Sequence, residues 1–266
     1  GNINIIQYGD ELLATSETPL PIIFDEESLD TGDHVAYNDS LEGHIEPSHP
    51  HYDRDGLVYS YLLKYHLISK YQLYRMDPET MVREEIATIP VRTPAYMHSF
   101  ALTPNYAILV EFPFVVNPVK MRFTSKPLIE NFEWKADKGT RYQVVHLKTG
   151  EVKTHHGPAV FAFHHVNAFE TEDSILVDMV CYEDANVVEE LYLDQLRSNE
   201  PTHAHGTLTR IQIPREGTED VEMKELHDAK IELPRINYVK YNGMPYRFVF
   251  GNGSNKEGDW LDSVIK

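Results

Sequence analysis

"LYRMDPETMV", residues 73–82, decides the fold. An apolar run enters an acidic Asp-Pro-Glu-Thr turn, and apolar residues resume at once, the pattern of two strands joined by a tight turn. "PIIFDEESLD" (21–30) and "VVHLKTGEV" (144–152) repeat the design, the latter around a Lys-Thr-Gly turn. "TLTRIQIP" (207–214) is a strand of the same character with a different exit. Such units, about 50–70 residues apart, suggest blades of a β-propeller, whose repeats run roughly 40–50 residues. An antiparallel sandwich made of similar hairpins fits the same periodicity.

The chain has 266 residues, with 42 acidic against 24 basic side chains and a formal charge of −18. With no basic stripe to displace counterions, a nucleic-acid partner is excluded. One cysteine, Cys181, leaves no intrachain disulfide framework and no thiolate cluster. No stretch reads as a leader, and no apolar run reaches the ~18 residues of a membrane span. A reducing, cytoplasmic setting is expected. Segment 185–198, "ANVVEELYLDQLRS", predicts one decorating helix with Val188, Leu191, Tyr192 and Leu196 on one stripe. Segment 215–230 is acidic and reads as a solvated excursion. No low-complexity linker divides residues 1–266, which read as part of one domain.

Fourteen histidines are present. His66, His146, His203, His205 and His227 sit in polar or alternating contexts that suit surface or turn roles. His155 and His156 precede Gly157-Pro158, a turn context, and His34 and His44 bracket a loop. Three others differ. His49 stands in "EPSHPHYDRDG", His98 at the mouth of the apolar strand in "PAYMHSFALTPNYAILVEFP", and His164 in "FAFHHVNAFE". On a strand, His164 and His165 point to opposite faces, so one of them looks into a given core. The spacings of 49 and 66 residues are blade-to-blade rather than the i, i+4 of a helical metal site. Blades around an axis would bring one side chain from each to a common centre, where neutral imidazoles suit a first-row metal such as Fe(II). Three unconnected core histidines satisfy the same spacing.

"SHPHYDRDG", "YMHSFALTPNYAILVEFP", "FAFHHVNAFE" and "INYVKYNGMPYRFVFGNG" follow in order along nearly the whole chain, and together they resemble the carotenoid cleavage oxygenase family. That family includes carotenoid and apocarotenoid oxygenases, the retinal-pigment-epithelium isomerohydrolase and lignostilbene dioxygenases. The resemblance implies an all-β, seven-bladed β-propeller, of which this chain supplies the central blades, with ferrous iron held by four histidines. It implies His49, His98 and His164 as metal ligands, with His165 turned away between blades. It also implies Glu17 and Glu232 as carboxylates on the outer ring nitrogens. The fourth histidine and a third glutamate have no counterpart here, so the resemblance implies complementary segments that complete the propeller.

The activity implied is Fe(II)- and O2-dependent cleavage of a conjugated C=C bond of a carotenoid or apocarotenoid to aldehyde or ketone products. Stilbene cleavage and retinoid isomerohydrolysis use the same ligands, and a metal-free binding or scaffold propeller is the non-enzymatic alternative. Tyr52, Tyr96, Phe100 and Phe163 are candidates to line an apolar tunnel for a lipophilic polyene, with plain core packing as the other reading of each. "VEFPFVVNPVKMRF" (110–123) is a candidate for peripheral membrane contact near its mouth, or else an ordinary buried strand and loop.

Overall fold

One residue in the left-handed region closes each of the three hairpins that set the pattern. In the first, the Asp25 carboxylate accepts from the Glu27 and Ser28 N–H groups (3.1 and 2.7 Å), and Leu29 follows at φ 61°. In the second, Asp77 accepts from Glu79 N–H at 2.9 Å, and Met81 turns the chain at φ 55°. In the third, Gly150 does so at φ 71°, and a β-carbon there would lie 2.5 Å from the Ile86 carbonyl oxygen. Glycine is therefore required at that turn on two counts.

The computed structural model describes residues 4–198, 206–217, 219–253 and 262–266. The chain divides into two compact units, Gly1–Pro94 with Asn117–Lys126 and Leu147–Val152, and Ala95–Val116 with Pro127–His146 and Lys153–Lys266. The first unit holds two four-stranded antiparallel sheets, each hydrogen-bonded in chain order. One is Asn4–Tyr8, Glu11–Thr15, Ile22–Phe24 and Thr31–His34; the other is His51–Tyr52, Val58–Lys64, Ser69–Asp77 and Val82–Val91. Chain-ordered meanders are the blade unit of a propeller, whereas a sandwich passes strands between two sheets. Leu13, Val58, Leu62, Tyr74 and Met76 are wholly buried in one cluster with Ile6 and Tyr8. Each such side chain contributes about 1.5–3 kcal/mol by leaving water.

Two buried charged groups inside this unit, Arg83 and Glu46, have side-chain partners. Arg83 grips Asp39 through Nε and Nη2 (3.0 and 2.8 Å) and lies 3.9 Å over the Tyr37 ring. Glu46 is wholly buried and accepts the Tyr74 hydroxyl. Burial pushes its carboxyl up to about 7, against the pull of the Tyr74 hydroxyl and the Arg83 charge.

In the second unit, Ala101–Leu102, Tyr106–Glu111, Thr140–His146 and Val152–Gly157 form a further four-stranded antiparallel sheet, and Phe114–Val116 pairs with Phe132–Trp134. The last sheet has six strands in chain order: His165–Glu170, Ser174–Cys181, Thr207–Pro214, Glu222–Arg235, Phe250–Gly253 and Ser263–Ile265. Its core is aliphatic, with Ile175, Val177, Met179, Ile211 and Ile213 fully buried.

Three expectations need correction. The single helix over 185–198 is two short ones, Asn186–Glu190 and Leu193–Leu196, because Tyr192 takes an extended conformation at ψ 142°. Its buried residue is Val187, while Leu191 and Leu196 of the supposed stripe are exposed. The acidic excursion is in its second half the strand Glu222–Arg235, whose charges alternate outward from a paired backbone. His155 and His156 lie on the strand Val152–Gly157 rather than in a turn, and the His155 ring is buried with Nδ1 2.9 Å from the Glu219 carbonyl oxygen. His203 and His205 fall outside the described residues. Among the described residues no helix is long and apolar enough to cross a membrane.

Candidate metal centre

Each candidate histidine sits where strand or loop geometry fixes its backbone. His49 lies between Ser48 and Pro50, and the proline holds it extended. The Ser48 carbonyl accepts Asn4 Nδ2 at 2.8 Å, and Glu46, three residues earlier, is tied to Tyr74. His98 is buried just before the strand Ala101–Leu102, after Tyr96 N–H has bonded the Phe114 carbonyl at 2.9 Å. The His164 carbonyl accepts Val180 N–H at 3.1 Å, so His164 is locked to the strand beside it.

Alternation along the chain then separates the two neighbouring histidines. His165 turns to Ser99: its N–H donates to Ser99 Oγ at 3.1 Å, its Nδ1 lies 2.8 Å from the same oxygen, and that hydroxyl donates to the Phe163 carbonyl at 2.6 Å. His164 turns the other way. Its ring meets that of His98 edge to face, with centroids 5.1 Å apart. His98 and His164 thus stand together within the second unit, while His49 is carried by the first.

Glu232 fixes the state of His164. Its Oε2 stands 2.6 Å from His164 Nδ1 and accepts the Leu233 N–H at 2.6 Å, while Oε1 accepts the Tyr182 hydroxyl at 2.8 Å. Burial alone would raise the carboxyl, but the hydrogen bond and charge of His164, the Leu233 N–H and the Tyr182 hydroxyl outweigh it. Glu232 is thus held below the usual carboxylate range. An ionised acceptor here makes His164 Nδ1 the donor of this hydrogen bond. Burial first, and the Glu232 charge second, push the Tyr182 phenol well up, so it stays a donor.

Tyr96 and Phe163 are brought against His98, with ring centroids at 6.4 and 5.6 Å, and the Tyr96 hydroxyl makes a long 3.4 Å contact to His98 Nδ1. Both are half-buried, and both pack on Phe161. Phe100 is wholly buried. The Tyr52 ring packs on the core of the first unit, and its hydroxyl donates to the Gln7 carbonyl at 3.0 Å. Glu17 is half-buried near Tyr61 and Tyr65, whose phenols are raised by burial first and by the Glu17 charge second. Tyr182 and the Leu233 N–H are the functional groups that sequence reasoning missed. Continuing the register of Glu170 and Ile175 sets Tyr182 opposite Phe163, near enough to have flagged it. Register shifts on both sides of His165 move it instead to a bridge with Phe161.

Two imidazoles in contact, with an anion behind one of them, are donors that fit a first-row divalent metal. A family model described as retinal pigment epithelial membrane protein matches residues 1–266, and the chain belongs to this family. It is 28% identical to the carotenoid isomerooxygenase of Galleria mellonella, over 99% of this chain and 55% of that protein. It is 29% identical to the β,β-carotene 15,15'-dioxygenase of Gallus gallus, over 93% of this chain and 56% of that one. A variant of the Synechocystis apocarotenoid oxygenase matches 98% of this chain and 56% of its own, with a TM-score of 0.83 at 25% identity. Its cobalt-substituted form matches with a TM-score of 0.81 at 26% identity. The fold is therefore of the β-propeller type found in these oxygenases. The chain spans about half the length of the curated relatives it matches, 55% for the first of them.

Proposed function

We propose that the protein carrying this chain is a non-haem iron(II) oxygenase that splits a conjugated C=C bond of a carotenoid or apocarotenoid. The balance is simple: alkene plus O2 gives two carbonyl compounds, with one oxygen atom in each and no external reductant. The observation that carries the reading is the contact of the His98 and His164 rings, with Glu232 bonded to His164 Nδ1 behind them. The names of the matching relatives support it. His98 and His164 would hold the iron, and the resemblance adds His49 and a fourth histidine from a segment outside this chain.

When bound, the iron supplies the centre at which dioxygen is activated. The residues of this chain supply the rest. Neutral imidazoles add no anion to the site, so the metal keeps its full charge. The Glu232 carboxylate raises the basicity of His164 and fixes its ring. Phe163 and Tyr96 offer an apolar wall at His98 on which a polyene can lie, and they keep bulk water from it. The name of the Galleria mellonella relative favours a second reading, in which bond cleavage is coupled to double-bond isomerisation.

The test is to load the full-length protein with ferrous iron and incubate it with β-carotene, an apocarotenal and a stilbene, following products by chromatography and mass. Aldehyde or ketone products that disappear with His164→Ala are expected. Iron-loaded protein that leaves all three substrates intact would sink the oxygenase reading. The alkene geometry of the product separates plain cleavage from cleavage with isomerisation.

A further inference from the structure

We infer that Tyr182 is a positioning residue for the metal centre, acting through Glu232 on His164; the inference rests on the metal reading above. The terminal torsion of a glutamate is soft, so a carboxylate held at one oxygen can still swing. Here the two oxygens are held separately. Oε2 carries His164 Nδ1 and the Leu233 N–H, each at 2.6 Å, and the Tyr182 hydroxyl holds Oε1 at 2.8 Å. Tyr182 is the contact that Oε1 makes among the described residues. Without it the carboxylate would pivot about Oε2, and the plane of the His164 ring would lose its reference.

The neighbourhood is built to keep that hydroxyl in place. Tyr182 pairs with Phe161 through both backbone hydrogen bonds (2.8 and 3.0 Å), and its ring packs near Phe161 and edge-on to Phe163, with centroids at 6.4 and 6.2 Å. On the other side, Leu233 stands at φ 51°, a conformation that non-glycine residues rarely adopt. That backbone directs its N–H to the same carboxylate. A strained residue and a buried phenol thus converge on one side chain, whose partner is a proposed ligand.

The bland alternative is that Tyr182 merely fills space between Phe161 and Phe163. Cobalt(II) titration of the metal-free, full-length protein separates the two, since its d–d bands report ligand geometry directly. Wild type is expected to take up one equivalent. Tyr182→Phe is expected to bind about tenfold more weakly with shifted bands, the low end of the range for residues behind a ligand because Tyr182 lies one bond further out. The melting point of its metal-free form should change little. In a Glu232→Gln background the same substitution should have no further effect. Wild-type affinity and bands in Tyr182→Phe overturn the inference, as does an equal loss in the Glu232→Gln background. Should Tyr182→Phe fail to fold, 4-methylphenylalanine at 182 fills the hydroxyl's volume without a donor, and the same loss is expected. Failure of wild type to bind cobalt overturns the metal reading and the inference with it, and is seen before any variant is made.

Discussion

Glu46, three residues before His49, is a buried carboxyl. Its pKa in the folded protein, about 7, lies above the ordinary value of 4.5. The folded state therefore holds this proton more tightly, and the stability it contributes is fully present below about pH 4.5. That stability is lost as the pH rises through about 7. The span of two to three pKa units amounts to about 3 kcal/mol. Glu46→Gln removes the titration but keeps an acceptor for Tyr74. Urea unfolding of wild type and variant at pH 5 and pH 8 should show the variant gaining on wild type at the higher pH. An unchanged difference would mean that Glu46 does not titrate in this window. At this scale, the parting of two neighbouring histidines was legible in the sequence. Adjacent histidines on a strand must part company, and His164 and His165 do so toward Glu232 and Ser99. Tyr182 was not legible, because its place depends on register shifts around His165 that no residue type announces.

Among the elements, the short helix Pro118–Met121 has the most to do with the surroundings. Asn117 caps it by accepting from Val119 and Lys120 N–H, and Pro118 stands where its missing N–H costs nothing. The preceding Phe112–Val116 run is buried, as an ordinary strand would be, but Val119 and Phe123 are 45% and 83% exposed. Lys120, Arg122 and Lys126 accompany them on a chain of charge −18. An apolar tip with cations around it suits a lipid surface carrying anionic headgroups. Flotation with phosphatidylcholine–phosphatidylserine vesicles should retain the full-length protein, and Phe123→Asp should weaken partitioning by about tenfold or more, given the 1.5–3 kcal/mol of one phenylalanine. Equal flotation of both would remove this segment from the membrane account. The hairpins were readable because their turns carry local chemistry in Asp25, Asp77 and Gly150. The helix over 185–198 was misread because a periodic stripe says nothing about a break at Tyr192. The strand Glu222–Arg235 was missed because an acidic edge looks like a loop until its pairing partner is known.

At the scale of the whole molecule, the lone thiol becomes a probe. Burial pushes Cys181 up to about 12, so almost no thiolate is present at pH 8. The native protein should resist a thiol-specific disulfide reagent at that pH, and reaction should set in with urea along the same curve as loss of near-ultraviolet circular dichroism. Rapid labelling of the native protein would contradict the packing around the strand Ser174–Cys181. Such a reporter is useful because Glu222–Arg235, in the same sheet, belongs to two partnerships. Its early residues pair with Thr207–Pro214, and its late residues pair with Phe250–Gly253. A single backbone therefore serves as the seam between what would otherwise be separate modules. One set of pairings ends at Lys230 and the next begins at Ile231, so a graft or swap of blades from a relative would have its natural joint between those two residues.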